Sequence, residues 1–148
     1  MEKMLVSGVA VDKNATRIAV IGLKDEPGVA FRLFDALARY KINVDMILQS
    51  VGRDGTKDIS FTVDEDDADN AMDVLERHFP KNNYKDINVR REVAKLSVVG
   101  AGMQSNPGVA ASMFEALYNV GVNIQMISTS EIRVTVLIDE KYVDVAMN

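Results

Sequence analysis

A segment that occurs twice constrains this chain more than any other feature. Pro27-Gly-Val-Ala-Phe-Arg-Leu-Phe-Asp-Ala-Leu37 returns as Pro107-Gly-Val-Ala-Ala-Ser-Met-Phe-Glu-Ala-Leu117, an offset of 80. At the same offset Asn43-Val-Asp-Met-Ile47 returns as Asn123-Ile-Gln-Met-Ile127. Upstream, at an offset of 78, Ile18-Ala-Val-Ile-Gly22 returns as Leu96-Ser-Val-Val-Gly100. A chain of 148 residues therefore holds two copies of one small unit.

Each copy is read from its periodicity. Arg17 to Ile21 is β-branched and bounded by Gly22, which predicts a strand. Lys24 to Gly28 is a turn feeding a helix, with Pro27 near the first helical position. In the second copy Asn106 stands before Pro107 as the N-cap. Ala30, Leu33, Phe34 and Leu37 make one apolar helical face, repeated by Ala110, Met113, Phe114 and Leu117. Val44, Met46 and Leu48 alternate with polar neighbours along a second strand. Arg53-Asp-Gly55 supplies a hairpin, and Ile59, Phe61 and Val63 line a third strand. Asp64 to Asp67 begins a helix carrying Ala68, Ala71, Met72 and Leu75, and a strand near Ile87–Arg91 closes the copy.

The order β-α-β-β-α-β is that of a ferredoxin-like unit, so the fold class is α+β. The second copy runs only β-α-β-β with the start of a helix at Lys141–Asn148. The strand-like stretch Leu5–Val11 is surplus to the first copy and is expected to supply the missing strand. The first domain, residues 16–92, is then inserted within the second, residues 1–15 plus 93–148. A helical pattern broken off at Met147-Asn148 reads as a piece of a longer chain.

Composition narrows the function. No cysteine and a single histidine exclude a disulfide framework and a multi-histidine zinc site. A net charge of −5 with interspersed signs argues against nucleic acid. No apolar run approaches the about 20 residues that span a bilayer, and Met1–Ser7 lacks a signal-peptide pattern, so a cytoplasmic protein is expected. Asp64–Asp69 lacks the glycine and ligand spacing of a calcium loop, and His78 has no companion nucleophile or ligand. Gly100-Ala-Gly102 begins like a dinucleotide fingerprint but lacks its third glycine.

Seven stretches carry a family resemblance: Val6–Ala10, Asp25–Ala30, Ile42–Ile47, Asp58–Val63, Val98–Met103, Asn106–Ala110 and Ile124–Ile132. The chain resembles the C-terminal regulatory region of aspartate kinases, built of two ACT domains. The last stretch, with Ser128-Thr-Ser-Glu131, is the most specific. The resemblance implies a non-catalytic regulatory part of an enzyme that phosphorylates the β-carboxylate of aspartate, on the route to lysine, threonine and methionine. It implies L-lysine and/or L-threonine as feedback effectors and a homodimer through the ACT domains. It also implies a catalytic kinase domain or separate subunit. No cofactor is expected in this piece; ATP and Mg²⁺ belong with the kinase domain.

The resemblance also implies effector sites where an ACT unit of one chain lies beside one of another. Asp25, Gly28, Val29, Ala30 and Gln49 would be completed by Asn123 and Ile124 of the partner chain. Asn106, Gly108, Val109 and Ala110 would pair with Asn43, Val44 and Asp45. Gln125 and Thr129 complete the candidate set. The chemistry is apt. N–H groups at a helix start favour a carboxylate, glycine permits close approach, and asparagine and strand carbonyls accept from an ammonium. Asp25, Glu26 and Asp45 align with Ser105, Asn106 and Gln125. An acidic site is thus expected to prefer lysine and a neutral one threonine. Two rivals stand: an ACT pair that only dimerises, and a sensor attached to another biosynthetic enzyme. Ser128 and Thr129 also read as structural hydroxyls in sheet pairing.

Overall fold

The computed structural model describes residues 6–79, 83–100, 108–130 and 133–147. The chain divides into two compact units, Asn14–Arg91 and Met1–Lys13 with Glu92–Asn148.

The first unit contains β2 (Thr16–Lys24), α1 (Val29–Arg39), β3 (Val44–Val51), β4 (Thr56–Val63), α2 (Ala68–His78) and β5 (Asp86–Arg90). β1 (Val6–Asp12) belongs to the other unit. Its remaining elements are β6 (Val93–Gly100), α3 (Gly108–Asn119), β7 (Met126–Thr129), β8 (Arg133–Asp139) and α4 (Val143–Met147). The sheets run β3-β4-β2-β5 and β1-β6-β8-β7, each antiparallel throughout. β1 occupies beside β6 the place that β5 takes beside β2. The two orders match only because the N-terminal strand completes the second ferredoxin-like unit, with the first inserted in it.

The helix faces pack as their spacing requires. Leu33 and Leu37 are buried with Ile18, Ile59 and Phe61, while Ala30 and Phe34 lie partly buried against them. Phe34 meets the edge of Phe61 at a centroid distance of 5.6 Å. Val109, Met113 and Leu117 do the same in the second unit with Val134, Val136 and Ile138. The acidic run resolves into a 3-10 turn at Glu65–Asp67 leading into α2, whose Ala68, Ala71, Val74 and Leu75 are buried. Asn14 caps that turn by accepting from the Glu65 N–H at 2.8 Å.

Three expectations change. β2 does not stop at Gly22 but continues to Lys24 through a register shift between Val20 and Leu23. Gly22 takes φ 74 there and donates its N–H to Asp58 at 3.0 Å, so it serves as a bulge residue. Pro27 lies just outside α1, whose N-cap is Gly28. The alternation of Val44, Met46 and Leu48 holds in burial through Met46, which is 3 % exposed, and breaks at Leu48. Val44 faces Val63, but Ile47 faces Phe61. The extra residue in β3 turns Ile47 and Gln49 to the helix-bearing side and leaves Leu48 41 % exposed. Asn106, the expected N-cap of α3, lies outside the described residues.

Candidate functional site

The loop before α1 is tied to the tip of the β3–β4 hairpin. Asp25 donates its N–H to the Gly55 carbonyl at 2.9 Å, and Glu26 donates to Lys24 at 3.0 Å. Gly28 adopts φ 88, where a side chain would be strained, and no side chain caps the helix. The Val29 N–H donates to Glu26 at 3.4 Å, and the first helical bond runs from Arg32 to Gly28. The Ala30 and Phe31 N–H groups therefore have no acceptor among the described residues. They form a donor pair at the positive end of the helix dipole, suited to a carboxylate.

Asp25 has a partner that its sequence position does not disclose. Its Oδ1 lies 3.5 Å from Lys57 Nζ, with side chains 40 % and 8 % exposed respectively. The Asp25 carboxylate is thus one member of an ion pair. The signal for Lys57 was present in the alternation. Lys57, Ile59, Phe61 and Val63 are every second residue of β4, so Lys57 stands in a core-facing register.

Backbone and side-chain contributions separate cleanly. Val29 and Val109 are buried, Ala30, Val44, Ala110 and Ile124 pack against the two cores, and each can offer a ligand only its backbone. Asn43, Asp45, Gln49, Asn123 and Thr129 are exposed side chains. Gln49 lies opposite Ile59 and Thr129 opposite Val134, so both point to the helix side of their sheets. Gln125 is half-buried. Its N–H donates to Leu137 at 2.8 Å and its side-chain amide to Asp139 at 3.3 Å. Asn123, Ile124 and Gln125 precede β7, which begins at Met126.

Each unit holds its candidates at two ends. Val51 lies opposite Lys57, so the hairpin end of β3 carries Gln49 toward Asp25. Asn43, Val44 and Asp45 follow the other end of α1, an 11-residue helix roughly 16 Å long. In the second unit Gly108 opens the 12-residue α3, roughly 18 Å long, and Asn123 follows its far end. A free amino acid is too short to span either distance. Neither unit by itself gathers its carboxylate donors and its asparagine around one small ligand. β3, which carries Asp45 and Gln49, and β7, which carries Thr129, are sheet edges. Ile47 and Val51, 53 % and 56 % exposed, lie on the β3 edge.

Among the described residues no grouping of acidic or histidine side chains is arranged to hold a metal ion. No described helix is long and apolar enough to cross a membrane. His78 accepts or donates at 2.7 Å with the Tyr40 hydroxyl, which accounts for the single histidine.

Paired ferredoxin-like units with glycine-led helix starts and open edge strands define a class, and the chain belongs to the ACT-domain family, whose model matches residues 18–79 and 96–148. Within that class it is homologous to the regulatory part of aspartate kinase. It is 46 % identical over 148 residues to the aspartokinase of Corynebacterium glutamicum, covering 99 % of this chain and 35 % of that protein. The chain thus spans about a third of the curated relatives that it matches. Among solved structures, one of aspartokinase alpha and beta subunits superposes with a TM-score of 0.89 at 48 % identity, covering 95 % of this chain and 93 % of that one. The ligand-free regulatory subunit of aspartate kinase from Thermus thermophilus superposes with a TM-score of 0.90 at 40 % identity, covering 96 % and 93 %.

Proposed function

We propose that this chain senses free L-lysine and/or L-threonine at sites shared between ACT units of two copies. Occupancy feeds back on a kinase domain or subunit that phosphorylates the aspartate β-carboxylate with ATP and Mg²⁺, in the cytoplasmic synthesis of lysine, threonine and methionine. The observation that carries this reading is the division of each candidate set between opposite ends of a helix. A second copy brings an asparagine end to a helix-start end. Asp25, Gly28, Ala30 and Gln49 then meet the partner copy's Asn123 and Ile124, and the Gly108–Ala110 start meets the partner copy's Asn43, Val44 and Asp45. The helix N–H groups hold the effector carboxylate, and asparagine and backbone carbonyls accept from its ammonium.

Such a site regulates because the ligand binds one mutual orientation of two chains better than another. Isothermal titration calorimetry with each amino acid, separately and then in sequence, tests the reading alongside sedimentation analysis. Saturable binding coupled to dimer formation is expected. A second reading, a scaffold that only dimerises, is favoured by the exposed apolar residues of the β3 edge. A dimer with no heat from either amino acid would select it.

A further inference from the structure

The Asp25–Lys57 pair has no counterpart in the second copy. Asp25 aligns with Ser105 at the offset of 80. Val63-Asp-Glu65 recurs as Ile138-Asp-Glu140, which aligns Lys57 with Ile132. Both charges are present in one copy, and both are replaced by uncharged residues in the other. A lysine in a core-facing strand register costs desolvation, which a partner carboxylate offsets. Asp25 is the ion-pair partner of Lys57 among the described residues, and Leu23, opposite Lys57 in β2, is fully buried. The ammonium therefore meets Asp25 on the loop that leads to the Ala30 and Phe31 N–H groups, which lack acceptors among the described residues.

We infer that Lys57 is the specificity-determining residue of the first loop: it neutralises Asp25, so that the loop accepts an α-carboxylate and discriminates against a cationic side chain. This rests on the amino-acid-sensing reading above and deepens it. A free carboxylate at position 25 would attract the side-chain ammonium of lysine. An Asp25 already paired with a fixed ammonium offers little to a second cation, and two cations on one carboxylate repel. An amino acid with a short neutral polar side chain meets no such opposition. Glu26, exposed on the same loop, adds a solvated charge screened by water and salt.

The test is amide NMR titration of the whole chain with L-threonine and L-lysine, read at Ala30 and Phe31 so that only the first loop reports. In Lys57→Met the unpaired carboxylate faces the ligand. The lysine-to-threonine affinity ratio should then rise by about tenfold, allowing for solvent screening. Adding Asp25→Asn to Lys57→Met should return the ratio to within about twofold of the parent. Asp25→Asn alone, which keeps the ammonium and also serves if Lys57→Met does not fold, should lower the ratio. Ratios unchanged across these variants, with both ligands still binding, would reduce Lys57 to a packing residue and overturn the inference. Absence of any ligand-dependent shift in the parent chain would instead remove the sensing reading, and this inference with it.

Discussion

Removing residues 1–12 should unfold the second unit and spare the first. β1 pairs with β6 from Val6↔Gly100 to Asp12↔Lys95, and Val11 packs against the second core. A ladder of that length contributes about 3–6 kcal/mol, taking each hydrogen bond at its modest net value. Exposing a partly buried valine adds about 1 kcal/mol. A unit of about 70 residues is stable by only about 4–10 kcal/mol in total. The loss is thus comparable to the whole stability of the unit. The first unit completes its own sheet with β5 and retains all four strands. Hydrogen exchange read by mass spectrometry separates the two. Peptides from β6 and β8 should lose nearly all protection, while those from β2 and β4 keep theirs. A synthetic peptide of residues 1–13 added in trans should restore protection to β6. Full protection of β6 and β8 in the shortened chain, without that peptide, would refute the claim that the N-terminal strand is integral to the second unit.

Two further perturbations probe local physics. Gly22→Ala should destabilise the first unit by about 1–2 kcal/mol in urea denaturation. The residue sits at φ 74, and a Cβ there would lie 2.7 Å from the Lys85 Cγ. Asp54 accepts from the Thr56 hydroxyl at 2.6 Å and from its N–H at 3.1 Å, and these bonds hold its carboxyl below the usual range. Because the folded value is depressed, the stabilisation is present above about pH 4 and is lost as pH falls through the folded value. Thr56→Val should move the NMR titration of Asp54 upward toward an ordinary aspartate.

The double unit, the order of elements, the helix faces and the role of the N-terminal strand were legible from the residues in order. These depend on short-range patterns. Leu33, Phe34 and Leu37 recur at the period of a helix, and Met113, Phe114 and Leu117 repeat them. A leftover strand beside a unit lacking one admits few destinations. The start of α1 behind Gly28 was equally legible as local structure, because a Pro-Gly loop ahead of an apolar helix face is a local signal. The β3 bulge was not. It depends on how Val44 and Ile47 register against Val63 and Phe61, and a one-residue slip exchanges Leu48 for Gln49 on the helix side. Nor was the partner of Asp25 legible. Asp25 and Lys57 are separated along the chain and meet only because the Asp25 N–H binds Gly55 and Lys57 stands at the end of the β4 core face. Tertiary structure alone decided that a loop rich in carboxylates is partly neutralised. Charge pairing depends on distance through space, which a strand alternation constrains to a face but not to a neighbour.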